Sequence, residues 1–303
     1  MPYARVGTGS TQLWYDTTGQ GDPLLWLPGF ALSGAAFEAV LPLYTGLQSI
    51  TFDHRRTGRS RQARGLPGVV SIPGLAGDAV RLLDALGLES AHVYGVSYGG
   101  MVAQELALRF PERVRGLVLG ATTPGGPRAV LPSVAELAAL ARDVAAPGTG
   151  QGLAGAVFSR EFRRADPHRA RRLARGMRVH RAPPDGVLAH FLASFYHDTW
   201  ARLPRIQAPT LVLHGSADTM TPLVNARVLA ASIPGAELCI VEGAGHAYLL
   251  ECPEESARLV LEFLSRRRRP VAGRALRPTA EPLTRALGLP VGMLRTARSA
   301  LPW

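Results

Sequence analysis

Short apolar runs alternate along this chain with longer stretches in which apolar residues recur every three or four positions. Thr11–Thr18, Leu24–Leu27, Ser49–Asp53, Ala91–Val96, Arg115–Gly120, Pro209–Leu213 and Glu237–Val241 read as strands; Ile72–Leu86, Met101–Phe110 and Pro253–Leu264 read as helices. Strands and helices in alternation predict an α/β architecture, a mostly parallel sheet covered by helices on both faces. From Pro124-Gly125-Gly126-Pro127 to about Pro204 the strand signal stops. Ala, Arg and Leu dominate there, with breaks at Pro147-Gly148 and Pro183-Pro184, which predicts a helical insertion over 124–204. The core is then built from 1–123 and 205–265. The pattern ends at Arg266-Arg267-Arg268-Arg269-Pro270, leaving 266–303 as a basic extension, loosely helical over Ala280–Ala300 and interrupted by Pro290.

The strand Ala91–Val96 runs directly into Gly95-Val96-Ser97-Tyr98-Gly99-Gly100 and then into a helix. A serine at the apex of a strand–turn–helix passage is forced into a strained backbone conformation, and its hydroxyl stands clear of the sheet. Gly95 and Gly99 supply the small residues needed two positions to either side. A serine hydroxyl is a weak nucleophile at neutral pH and needs a base and an orienting acid. Asp218 follows the strand Pro209–Leu213 within His214-Gly215-Ser216-Ala217-Asp218. His246 follows the strand Glu237–Val241 within Glu242-Gly243-Ala244-Gly245-His246. The order Ser97, Asp218, His246 is the one expected of a serine nucleophile on an open α/β sheet.

These motifs resemble those of the α/β-hydrolase superfamily, over roughly residues 11 to 265. Asp53-His54-Arg55-Arg56-Thr57-Gly58-Arg59-Ser60 is similar to its D-x-R-G-x-G-x-S loop, with Arg56 in place of a glycine. Phe110-Pro111-Glu112-Arg113-Val114, leading to Leu117-Val118-Leu119, resembles its passage from the elbow helix to the next strand. Within the superfamily, Ala208–Leu213 and Ile233–Leu238 are similar to intracellular lipases, esterases and polyhydroxyalkanoate depolymerases, with some likeness to enol-lactonases. The resemblance implies an α/β-hydrolase fold with a helical cap formed by the insertion. It also implies an oxyanion hole made by the backbone N–H groups of Tyr98 and Phe30, the latter in Pro28-Gly29-Phe30 where relatives often carry His-Gly. Phe158, Phe162, Met177, Phe191, Phe195, Tyr196 and Trp200 are possible pocket walls, with Phe158, Phe195 and Trp200 as the candidate substrate contacts.

Other chemistries find little support. The chain holds no lysine, which excludes a P-loop lysine and a pyridoxal-phosphate Schiff base. No G-x-G-x-x-G follows a strand, and the histidines show no metal-ligand spacing. The expectation is no cofactor and no metal. A serine at the elbow argues against dehalogenase and epoxide-hydrolase chemistry. His214, at a strand end, reads as structural, and His54 as a solvated loop histidine near the site.

Charge changes the picture only once it is located. The net formal charge is +11, but Arg160–Arg181 holds nine arginines against Glu161 and Asp166, and 266–303 holds nine against Glu281. The catalytic body is therefore mildly acidic, while the insertion and the extension are strongly basic. That basicity is either a solvated face or an attraction to an anionic surface such as a membrane, acidic lipid or polymer granule. Nucleic acid is not expected, since aromatic interleaving and a binding motif are both lacking. Cys239 and Cys252 show no disulfide pattern, Met1–Gly9 lacks a signal-peptide core, and a cytoplasmic location is expected. The functional expectation is a serine hydrolase of carboxylic esters with an apolar acyl or alcohol group, acting on a small-molecule substrate. Lactonase, C–C hydrolase and acyltransferase activities on the same site, or a non-catalytic ligand binder, are the alternatives.

Overall fold

The computed structural model describes residues 3–6, 11–61, 70–136, 138 and 151–266. Eight strands form one sheet in the order β1-β2-β4-β3-β5-β6-β7-β8. They are β1 (Tyr3–Arg5), β2 (Gln12–Gly19), β3 (Asp22–Leu27), β4 (Leu47–Phe52), β5 (Ala91–Val96), β6 (Val114–Gly120), β7 (Thr210–Gly215) and β8 (Glu237–Val241). β1 and β2 pair antiparallel, as do β2 and β4; every pairing from β4 through β8 is parallel. The order reverses around β3, so the carboxyl ends of the parallel strands open onto one edge, where such sheets place their sites.

Strands β3, β4, β5 and β7 are buried along their whole length. That is why they read as unbroken apolar runs: helices cover both faces. One face packs α1 (Ile72–Ala85) and α2 (Tyr98–Arg109) around Leu25, Val93 and Leu117. The other carries a cluster centred on Trp26, whose ring lies 4.6 Å from Tyr44 and 4.7 Å from Tyr94. α1 starts where the Ser71 hydroxyl accepts from Gly74 N–H with a proline in the first turn, a strong local start signal.

Between β6 and β7 lies the helical insertion that the composition predicted. Its described helices are α3 (Gln151–Val157), α4 (Arg160–Ala165), α5 (Pro167–Met177) and α6 (Pro184–Phe195). The start and end of the insertion are pinned to each other: Gly126 N–H donates to His197 O and Thr199 N–H to Pro124 O, both at 2.9 Å. After β7 come α7 (Val224–Ser232), the short α8 (Tyr248–Glu251) and α9 (Pro253–Ser265). Arg266 pairs with Glu237 at 2.7 Å, and the rest of the basic extension lies outside the described residues. Among the described residues, no helix is long and apolar enough to cross a membrane.

Candidate active site

Ser97 sits between β5 and α2 at φ 56, ψ −119, a conformation strained for any side chain but glycine. Its N–H donates to Gly120 O at 2.8 Å, so β6 holds the turn from beside it. The flanking glycines are required by contact. A Cβ at Gly95 would stand 2.3 Å from Gly99 O, and one at Gly99 would stand 2.0 Å from Leu27 O. The elbow helix therefore approaches both its own strand and the end of β3 too closely for a side chain.

Asp218 and His246 arrive from β7 and β8. His246 Nδ1 lies 2.8 Å from Asp218 Oδ2. Because a carboxylate only accepts, this nitrogen carries the ring proton, which leaves Nε2 as the acceptor. The turn bearing His246 is tightly constrained. A Cβ at Gly215 would meet Ala244 O and Gly245 O at 2.3 Å, while Gly245 N–H donates to the Glu251 carboxylate at 3.0 Å. The same carboxylate accepts from Ser159 N–H and Oγ–H at 2.8 and 2.7 Å, and Ala247 N–H donates to Val157 O at 2.8 Å. The insertion thus fixes the histidine turn.

Asp218 is buried and receives more than His246. Thr221 N–H donates to its Oδ1 at 2.8 Å, and His214 Nε2 lies 3.2 Å from Oδ2. His214 Nε2 also lies 2.6 Å from Thr221 O, so its proton is shared between two acceptors. Burial alone would raise the Asp218 pKa. The His246 charge and the hydrogen bonds from His214 and His246 outweigh it and hold the carboxyl well below the usual carboxylate range. The role of His214 beside this carboxylate is not legible from a histidine at a strand end.

Ser97 and His246 line one cavity of about 110 Å3, together with Phe30, Leu153, Val157, Met177 and Leu249. Among the described residues no hydrogen bond yet joins Ser97 Oγ to the imidazole, a contact that commonly tightens only with substrate bound. Gly29 packs against the elbow, where an added Cβ would lie 3.8 Å from Ser97 Cβ, and Phe30 lines the same cavity as the serine. Tyr98 N–H is at the first position of α2, free of any intrahelical acceptor, beside the same atom.

The predicted substrate contacts are placed differently. Phe158 is buried against Phe162, with ring centroids 5.2 Å apart, Phe195 is exposed, and Trp200 borders a separate recess beside Arg128. None of the three lines the cavity with Ser97; from the insertion, Leu153, Val157 and Met177 do. The aromatic side chains were spent on helix packing and surface, and smaller aliphatic ones face the serine. His54 is also corrected: it is fully buried rather than solvated, because His190 of α6 packs over its loop with ring centroids 6.2 Å apart. Burial, with the His190 charge second, brings the His54 pKa down to about 3. Arg56, at the position where the loop motif has glycine, has φ 62 and occupies the left-handed region that glycine would favour.

Comparison with known proteins places the chain in a family. The alpha/beta hydrolase fold family model matches residues 22–253. The chain is 35% identical over 257 residues to a poly(3-hydroxyalkanoate) depolymerase of Ectopseudomonas oleovorans, covering 81% of this chain and 85% of that protein. It is 32% identical over 281 residues to an Azorhizobium caulinodans protein provisionally named a carbamate hydrolase, covering 87% and 98%. A thermophilic esterase from Thermogutta terrifontis is 28% identical and superposes with a TM-score of 0.70 over 88% of this chain and 98% of its own. The chain belongs to the alpha/beta hydrolase fold family and is a hydrolase.

Proposed function

We propose that this hydrolase cleaves carboxylic esters through an acyl-enzyme on Ser97, with His246 as the base and Asp218 as its orienting acid. The observation that carries this reading is the 2.8 Å His246–Asp218 contact beside a cavity that also holds the strained serine. Ser97 Oγ attacks the acyl carbon, and its proton passes to His246 Nε2. Asp218, kept ionised by its donors, stabilises the imidazolium. The Phe30 and Tyr98 N–H groups receive the developing oxyanion. The imidazolium then protonates the departing alcohol, and a water activated by the same nitrogen releases the acid. The insertion serves as a cap over this site.

The apolar walls favour an apolar acyl or alcohol group, and a cavity of about 110 Å3 favours a short one. A dry cavity of roughly 150 Å3 accommodates benzene, so a group of about six carbons is near the limit unless the cap moves. The likeness to proteins named as a depolymerase and an esterase supports acyl chemistry.

A p-nitrophenyl ester series, assayed with the parent and with Ser97→Ala, tests the reading. The expected result is an optimum at short acyl chains and a loss of about 10⁴-fold or more in kcat for the variant. Turnover that survives Ser97→Ala, or hydrolysis of carbamates with none of esters, would overturn it.

A further inference from the structure

Helix α6 is built inside out. Its buried positions are Gly186, His190 and Ala193, while Leu188, Phe191, Leu192 and Phe195 are 59, 55, 47 and 73% exposed. The exposed set recurs at three, four and seven residues from Leu188, one continuous stripe on a helix face, and Tyr196 extends it at 80% exposed. A helix docked on a core normally turns such a stripe inward. Here the inner face needs small and polar residues. Gly186 lies against the loop after β4, where a Cβ would meet Arg56 O at 2.2 Å, and His190 stacks on the Tyr98 ring at 5.1 Å. The large apolar residues are thus left outward, a contiguous patch of the kind that marks an interaction surface.

Charge decides among the occupants. The chain leading into α6 is cationic: Arg175 and Arg181 are exposed, and Arg181 is three residues from Pro184, within about 10 Å of it by chain reach. No acid lies on the stripe, and the one carboxylate of α6, Asp185, is engaged by Arg56 at 3.1 Å. A second copy of the chain would bring two strongly basic insertions together. A surface that offers both an apolar interior and negative headgroups complements the stripe and the arginines at once.

We propose that the outer face of α6 is a docking surface for an anionic phospholipid bilayer, with Phe191 and Phe195 entering the interface and Arg175 and Arg181 meeting headgroup phosphates. This outer face is the reverse side of the helix whose inner residue His190 stacks on Tyr98.

The test is sedimentation of the full chain with phosphatidylglycerol-containing and with pure phosphatidylcholine vesicles, at low and high salt. The parent is expected to partition onto the anionic vesicles and to be released by salt. The double variant Phe191→Glu, Phe195→Glu should partition about tenfold or more weakly. Arg175→Glu, Arg181→Glu should lose the preference for anionic lipid. All of these side chains are exposed, so circular dichroism and thermal unfolding should match the parent. Absence of parent binding overturns the proposal, as does equal binding by the Phe variant, which would assign any lipid contact to another part of the chain. A parent that self-associates in light scattering, without binding vesicles, and becomes monomeric in the Phe variant would give the face to a second copy instead.

Discussion

Asp218 and His190 are both buried polar side chains near the elbow, one under the ends of β7 and β8 and the other at the seam between the insertion and the sheet. Asp218 has three N–H groups within reach of its two oxygens. His190 has Arg55 O at 3.1 Å from Nε2, which makes that nitrogen the donor, while the buried Nδ1 finds no partner among the described residues. Partners keep the first group charged in a buried place. Burial keeps the second group neutral, bringing its pKa down to about 4 against the single hydrogen bond to Arg55 O. The strand-borne site thus holds a buried charge with its donors, whereas the seam under α6 buries imidazoles in their neutral form.

Removing the charge on the partnered side should have the largest effect. Asp218→Asn keeps the side-chain shape but can no longer enforce a proton on His246 Nδ1, so kcat should fall by about 10⁴-fold on the ester that the parent prefers. A fall of less than about tenfold would mean that the carboxylate orients nothing, and the acid would have to be sought elsewhere.

The unpartnered side predicts an acid-labile protein. In the unfolded chain His190 takes up a proton below its ordinary pKa of 6.5, whereas in the folded protein it resists until about 4. Its stabilisation is therefore fully present above 6.5, is lost as pH falls between 6.5 and 4, and amounts to about 3 kcal/mol. His54 acts in the same direction, and so does buried His197, whose two ring nitrogens find no partner among the described residues. Urea unfolding followed from pH 7 to pH 4 should show this slope, and His190→Phe should flatten it while retaining the stack on Tyr98. An unchanged slope in that variant would remove His190 from the account.

The same contrast explains what could be read from the sequence. Ser97, Asp218 and His246 could be read from the sequence because local chain rules place them: each follows a strand at the carboxyl edge of a parallel sheet, β5, β7 or β8, and Gly95, Gly99 and Gly215 mark close approaches beside them. The insertion was legible as helical but not in its orientation. Aromatic content predicted Phe158, Phe195 and Trp200 as walls, yet which face a helix turns to the site depends on what it docks against. At α6 a backbone carbonyl and a tyrosine ring demand Gly186 and His190, and the phenylalanines go outward. His54 read as solvated for the same reason, since the group that buries it comes from a helix more than a hundred residues later in the chain.

The smallest expected effect concerns His214, and it separates positioning from packing. His214 Nε2–H is one of the donors on Asp218 Oδ2, and it competes there with His246. Taking it away leaves a carboxylate with one donor fewer, which attracts a positive ring more strongly. In His214→Leu the acid limb of the kcat/KM profile should move to higher pH while the activity on the plateau falls by less than about tenfold. His214→Gln places an amide N–H at similar reach and should return the limb toward the parent position. A residue that merely filled space would lower stability in both variants and leave the limb where it was. An unmoved limb in an active, folded His214→Leu would therefore make His214 a packing residue and leave Thr221, among the described residues, as the support of Asp218 besides His246.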